Sequence, residues 1–158
     1  MSADYSGPPI RFNRGFWDDK LNRLKLAQIF LGIAAAIFNS YCFPNSLWGF
    51  CTYRIHTFPQ IFSILCVNIF FIVISSLLAF CNLLGIMDSY YKYNFPLLEK
   101  FLTTLATVMY SISSVLVFVA LLTSPFIASW LLPLFFTLWT TAAYGWDSKQ
   151  RWDADSRY

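Results

Sequence analysis

The chain has 158 residues, of which 58% are hydrophobic, 20% aromatic and only 12% charged, with a formal net charge of +3. A mean hydropathy of +0.55 excludes an ordinary soluble core and points to a helical bundle solvated by lipid. The basic residues track the apolar pattern along the chain, so nucleic acid is not an expected partner.

Residues 1–25 read as a cytoplasmic N-terminal segment. Its first nine residues, with Ser, Gly and a Pro pair, predict little order. Across residues 16–25, Trp17, Leu21 and Leu24 recur at i, i+4 and i+7, with Lys20 and Arg23 off that stripe. The pattern predicts a short interfacial helix lying among headgroups before the chain turns inward, either as an anionic-lipid anchor or as a plain extension of the first span.

Residues 26–146 form the transmembrane domain. Four runs, 26–43, 61–87, 101–123 and 126–146, contain no Asp, Glu, Lys, Arg or His. At about 1.5 Å per helical residue, roughly 20 apolar residues cross the hydrocarbon layer, so each run predicts a membrane span. The fold class expected is all-α, a four-transmembrane-helix bundle. Of the eleven basic residues, only Arg54 lies between the first and second runs; Arg11, Arg14, Lys20, Arg23 and Lys25 precede the first, Lys92 and Lys100 separate the second and third, and Lys149, Arg151 and Arg157 follow the fourth. The positive-inside rule then places both termini in the cytoplasm. No cleavable signal peptide and no N-glycosylation acceptor is read from the sequence. Ser124 and Pro125 are the only break between the last two runs, which predicts an antiparallel helical hairpin. The tail, 147–158, mixes three basic and three acidic residues and predicts a solvated cytoplasmic end with little intrinsic structure.

In lipid, helices associate through close backbone approach and through polar side chains bonding across the interface. Gly32 and Ala36 form a small-x-x-x-small pair in the first run, Ser75 and Ala79 another in the second, while Thr103, Thr107 and Ser111 repeat every four residues in the third. These are the expected helix contacts, within one bundle or, alternatively, between copies in a homo-oligomer. Asn68 and Asn82, with Gln28 and Asn39, are the strongest hydrogen-bonding groups at membrane depth and are expected to face other helices. Their alternative role is to line a neutral polar path.

Cys42 and Cys51 flank the start of the outer loop on the oxidising side of the predicted topology. A disulfide there would close a short recognition loop and contribute about 2.5–3 kcal/mol by chain entropy; the plainer alternative is two small apolar fillers. Cys66 and Cys81 fall inside the second run and read as packing residues. His56 is the only histidine, and no Cys-x-x-Cys pair, phosphate-binding glycine loop or membrane-depth carboxylate accompanies it. No catalytic residue, metal site or cofactor is therefore expected, and the chain is not read as an enzyme.

The sequence Arg23-Leu-Lys-Leu-Ala-Gln-Ile entering the first span, the short first outer loop, the minimal turn at Ser124-Pro125 and the exit Thr140-Thr-Ala-Ala-Tyr144 resemble the MARVEL-type tetraspan group, which includes the myelin-and-lymphocyte, chemokine-like-factor and synaptophysin/synaptogyrin relatives. The resemblance covers about residues 20–150 and implies a non-enzymatic membrane organiser. Its expected setting is vesicle trafficking, membrane apposition or junctions, at the plasma membrane or endomembrane vesicles, with membrane lipids and other membrane proteins as partners. Claudin and tetraspanin patterns fit less well: Leu47-Trp48-Gly49 and Cys51 only echo the former in too short a loop, and the Cys-Cys-Gly of the latter is absent. The alternative from a different class is an accessory or pore-forming subunit of a channel or transporter.

Overall fold

A computed structural model describes residues 12–40, 62–86, 94–123 and 127–155. Helix α1 spans Lys20–Ser40, α2 spans Phe62–Leu83, α3 spans Phe95–Thr123 and α4 spans Ile127–Asp155. No strand occurs among the described residues. Helices α1, α2 and α3 are each long and apolar enough to cross a membrane.

Every pair of neighbours runs antiparallel. Asn22 meets Asn82 while Gly32 meets Ile72, pairing α1 with α2. Asn68 meets Tyr110 and Asn82 meets Glu99, pairing α2 with α3. Thr104 bonds Ser148 and Ser114 bonds Thr141, which sets α4 against α3. Gln28 meets Asp147 while Phe38 stacks on Phe136 at 4.7 Å, closing the ring between α1 and α4. The result is an up-down-up-down bundle. The end where α1 and α3 begin and α2 and α4 finish is called the basal end below.

The faces that meet are polar and small. On α1 they are Asn22, Lys25, Gln28, Gly32, Ala35 and Asn39, and on α3 Glu99, Thr103, Ala106, Tyr110, Ser113, Val117 and Ala120. On α4 they are Pro133, Thr137, Thr140, Tyr144 and Asp147. Apart from a repeated three-residue step at the start of α1, these steps alternate between three and four residues, the 3.5-residue repeat that keeps one seam facing its neighbours in left-handed packing. The opposite faces carry exposed Phe30, Ile37, Phe80, Phe101, Val115, Leu131 and Trp139. Interior and exterior are thus inverted relative to a water-soluble bundle, as expected when hydrocarbon is the solvent and only polar groups gain by leaving it.

Two expectations are corrected. Residues 16–25 do not make a separate interfacial helix: a turn covers 14–18 and α1 begins at Lys20, running unbroken to Ser40. Its inward face takes Asn22 and Lys25, while Trp17 is exposed and Leu21 and Leu24 are half-buried. The turn is pinned by the Asn13 amide, which donates to the Leu83 carbonyl at 2.9 Å, with Phe16 buried beneath it. The tail is not unstructured either, because α4 continues to Asp155 and Asp147 is fully buried. The charge-free run 61–87 ends sooner as helix, at Leu83, where Gly85 takes φ = 60°, a left-handed value that a side chain would strain.

Candidate functional site

At the basal end, polar side chains from all four helices converge on Glu99. Its Oε1 pairs with Lys25 Nζ of α1 and accepts from Asn82 Nδ2 of α2 at 3.3 Å, while its Oε2 pairs with Arg151 Nη1 of α4. Arg151 Nε donates to Asp147 Oδ1 at 2.8 Å, and Asp147 Oδ2 accepts from Gln28 Nε2 at 3.0 Å. Asn82 Nδ2 also donates to Asn22 Oδ1 at 3.1 Å. Lys25 is 1% exposed and Asp147 0%, so the two carboxylates and two cations stand or fall together: isolated burial of any one would cost several kcal/mol.

Glu99 precedes the charge-free run 101–123, and Arg151 follows 126–146. Burial pushes the Glu99 carboxyl up, but Lys25 and Arg151 more than offset it and hold the group below the ordinary carboxylate range. Burial likewise acts to lower the Arg151 guanidinium, and the Asp147 and Glu99 carboxylates reverse that and raise it. A depressed folded value means that the ionised Glu99 stabilises the fold above the ordinary glutamate value, and that this contribution is lost as pH falls through the folded value. Thermal unfolding in mild detergent should therefore show a midpoint that falls as pH drops below the ordinary glutamate range. Glu99→Gln should show a flatter profile; equal slopes would refute the assignment.

Above this cluster, a second polar layer lies deeper in the bundle. Tyr144 and Ser75 share a hydrogen bond of 2.7 Å, Tyr110 donates to Asn68 Oδ1 at 3.1 Å, and Asn68 Nδ2 donates to the Ser63 carbonyl at 2.8 Å. The Tyr110 and Tyr144 rings stack at 5.2 Å over Phe71, Val67 and Ala106. The first eight residues of α2, Phe62–Ile69, are π-helical, and Asn68 sits at the end of that stretch.

The residues expected to make helix contacts are distributed as follows. Gly32 sits where α1, α2 and α3 meet; a Cβ there would lie 3.0 Å from Ile72 Cγ1 and 3.3 Å from Tyr110 Oη. Ala36 is half-buried, Ser75 and Ala79 are buried, Asn68 is fully enclosed and Asn82 is half-buried in the Glu99 cluster. Thr103 is buried and Thr107 half-buried, both bonding back to their own helix. Ser111 departs from the stripe: it is exposed, and its hydroxyl bonds the Thr107 carbonyl. A step of four residues advances about 400°, so the two steps from Thr103 to Ser111 drift off one face by about 80°. Cys42 and Cys51 lie outside the described residues; Cys66 is exposed and Cys81 half-buried, both as free thiols. Among the described residues, no three His, Cys, Asp or Glu side chains gather at metal-binding spacing.

Sequence reasoning passed over Lys25, Glu99, Asp147, Arg151, Tyr110 and Tyr144. The available signal was the alternating 3,4 spacing that carries Glu99 into Thr103 and Ala106, and Tyr144 into Asp147. No family model, curated protein or solved structure matches the chain.

Proposed function

We propose that this chain is a non-enzymatic, multi-pass membrane protein with four spans and cytoplasmic termini, which organises membranes through lateral helix contacts. Trafficking vesicles, apposed membranes or junctions are its proposed setting. The observation that supports this reading most is the inverted bundle. The polar groups of α1 to α4 turn inward and bond largely to one another, while the outward faces are a nearly continuous apolar surface that only lipid or another membrane helix can cover. Supporting the fourth span and the orientation are the charge-free run 126–146, the placement of ten of eleven basic residues in segments flanking the basal end, and the emergence of α1 and α4 at that same end. The layout resemblance to MARVEL-type tetraspan chains points the same way.

The channel or transporter alternative needs Asn68 and Asn82 on an open path. Asn68 is instead closed in by Ser63 and Tyr110, and Asn82 by Asn22 and Glu99. Purified full-length protein in liposomes tests the choice. The expected result is no ion flux above protein-free vesicles, together with Asn68→Leu lowering stability by about 0.6–2 kcal/mol. Flux that Asn68→Leu abolishes with stability unchanged would overturn the organising role in favour of a pore.

A further inference from the structure

Beside the Glu99 cluster, the basal end opens a cavity of about 380 Å³ between the start of α1, the start of α3 and the end of α4. That volume falls in the range of small-molecule sites. The charges in its wall are committed. Arg151 is shared between Asp147 and Glu99, and with Lys25 the group behind the wall sets two cations against two carboxylates. Lys100 is 8% exposed, with its Nζ 3.6 Å over the Trp152 ring. An anionic head would therefore find no free cation here, and would approach two carboxylates. The polar groups still open to a partner are neutral. The half-buried Gln150 side chain makes no hydrogen bond among the described residues, and Asn94 spends Oδ1 on the Leu97 amide at 3.1 Å, which leaves its Nδ2 protons. Together the two amides offer donors and an acceptor without charge.

The rest of the lining is apolar. Leu21, Pro96, Leu97 and Ala154 supply it, and Leu97 is 59% exposed. From Leu97 an outward apolar ladder climbs α3 through Phe101, Leu105 and Val108, at steps of four, four and three residues, all exposed. On α4, Trp146 and Trp152 lie exposed to either side of Gln150 in the chain, and tryptophan settles at the boundary between hydrocarbon and water. Uncharged hydrogen-bonding groups at that boundary, joined to an apolar track, fit an amphiphile with a neutral head and an acyl tail.

We infer that this cavity binds the head of a neutral acyl lipid of the diacylglycerol class: its hydroxyl pairs with the Gln150 amide, an ester carbonyl accepts from Asn94 Nδ2, and an acyl chain runs along the Leu97 to Val108 face of α3. Free glycerol shares the hydroxyl chemistry but would leave the ladder unused. Phosphatidic acid shares the chains but adds a charge that the wall does not answer. Binding of this kind rests on the membrane reading above, because only in a bilayer does the cavity open at the level of lipid heads.

The test uses full-length protein in a mild non-ionic detergent, with thermal unfolding followed as dioctanoylglycerol, dioctanoyl phosphatidic acid or glycerol is added. Dioctanoylglycerol should raise the midpoint by about 3–5 °C at ten times its dissociation constant, while phosphatidic acid and glycerol at the same concentration should not. Gln150→Leu should raise the dissociation constant for dioctanoylglycerol roughly three- to tenfold, the loss of one hydrogen-bonding group. Ala154→Trp, at an exposed position that leaves the unliganded midpoint in place, should remove the response by filling the cavity. Equal shifts with phosphatidic acid would overturn the neutral site, as would a glycerol response matching dioctanoylglycerol, or wild-type binding by both variants. A chain that stays soluble without detergent would refute the membrane reading itself. One that needs detergent, unfolds cooperatively and ignores dioctanoylglycerol refutes only the lipid site.

Discussion

Glu99→Gln is expected to lower the unfolding midpoint of the detergent-solubilised protein by roughly 10 °C, the largest effect of any single substitution considered. The amide keeps the shape of the side chain but not its charge, so Lys25 and Arg151 lose their shared counter-ion while remaining buried. Breaking a buried pair from one side costs about 3–5 kcal/mol, and a chain of this size shifts by about 2–4 °C per kcal/mol. The same reasoning makes the reverse expectation for removing both partners. Combining Lys25→Met with Glu99→Leu deletes a cation and an anion together, leaves Arg151 with Asp147, and should recover most of the loss. Unfolding followed by circular dichroism for the two single variants and the double variant checks this. An additive double variant would show that the cluster does not behave as one unit.

Gly32→Leu is expected to destabilise the bundle by about 1–3 kcal/mol and to disturb the contacts of α1 with both neighbours. The first added carbon already meets Ile72 Cγ1 at 3.0 Å and the Tyr110 hydroxyl at 3.3 Å. A whole leucine must therefore push α2 and α3 apart or displace Tyr110 from Asn68, which leaves a buried amide oxygen short of its donor. Ile33→Leu, one residue further on at an exposed position, is the control and should leave the midpoint within about 0.5 kcal/mol of wild type. If Gly32→Leu is as mild as the control, α1 does not pack as closely at Gly32 as the distances indicate.

The helices themselves were readable from hydropathy because lipid imposes a severe rule: charge-free stretches of about 20 residues have few other uses. The inside of the bundle was harder, for a reason particular to this chain. Lys25, Glu99, Asp147 and Arg151 border the apolar runs, where flanking charge is routine, and the positive-inside rule accounts for Lys25 and Arg151 without any interior role. Only the partners, most of them on other helices, reveal that these charges turn inward. The small-residue stripes were detectable but their spacing misleads: Thr103, Thr107 and Ser111 look like one row, while the buried row runs Thr103, Ala106, Tyr110 and Ser113. The inward role of Tyr110 and of Tyr144, the latter quoted only as the end of the exit from the fourth run, was not legible because aromatic residues are common throughout the runs, and nothing local distinguishes an inward tyrosine from a lipid-facing phenylalanine.

The widened turns at the start of α2 have a consequence for the spacing of residues along that helix. At about 100° per residue, an α-helical stretch would set Asn68 some 140° around the axis from Ser63, on a different side of the cylinder. In the π-helical segment Phe62–Ile69 the two are stacked closely enough for the Asn68 amide to reach the Ser63 carbonyl at 2.8 Å, and both are fully buried. Segment length therefore acts as a coordinate of its own. Adding or dropping one residue before Asn68 would change no chemistry and yet rotate everything upstream against the neighbours, so this stretch should tolerate substitution far better than insertion or deletion.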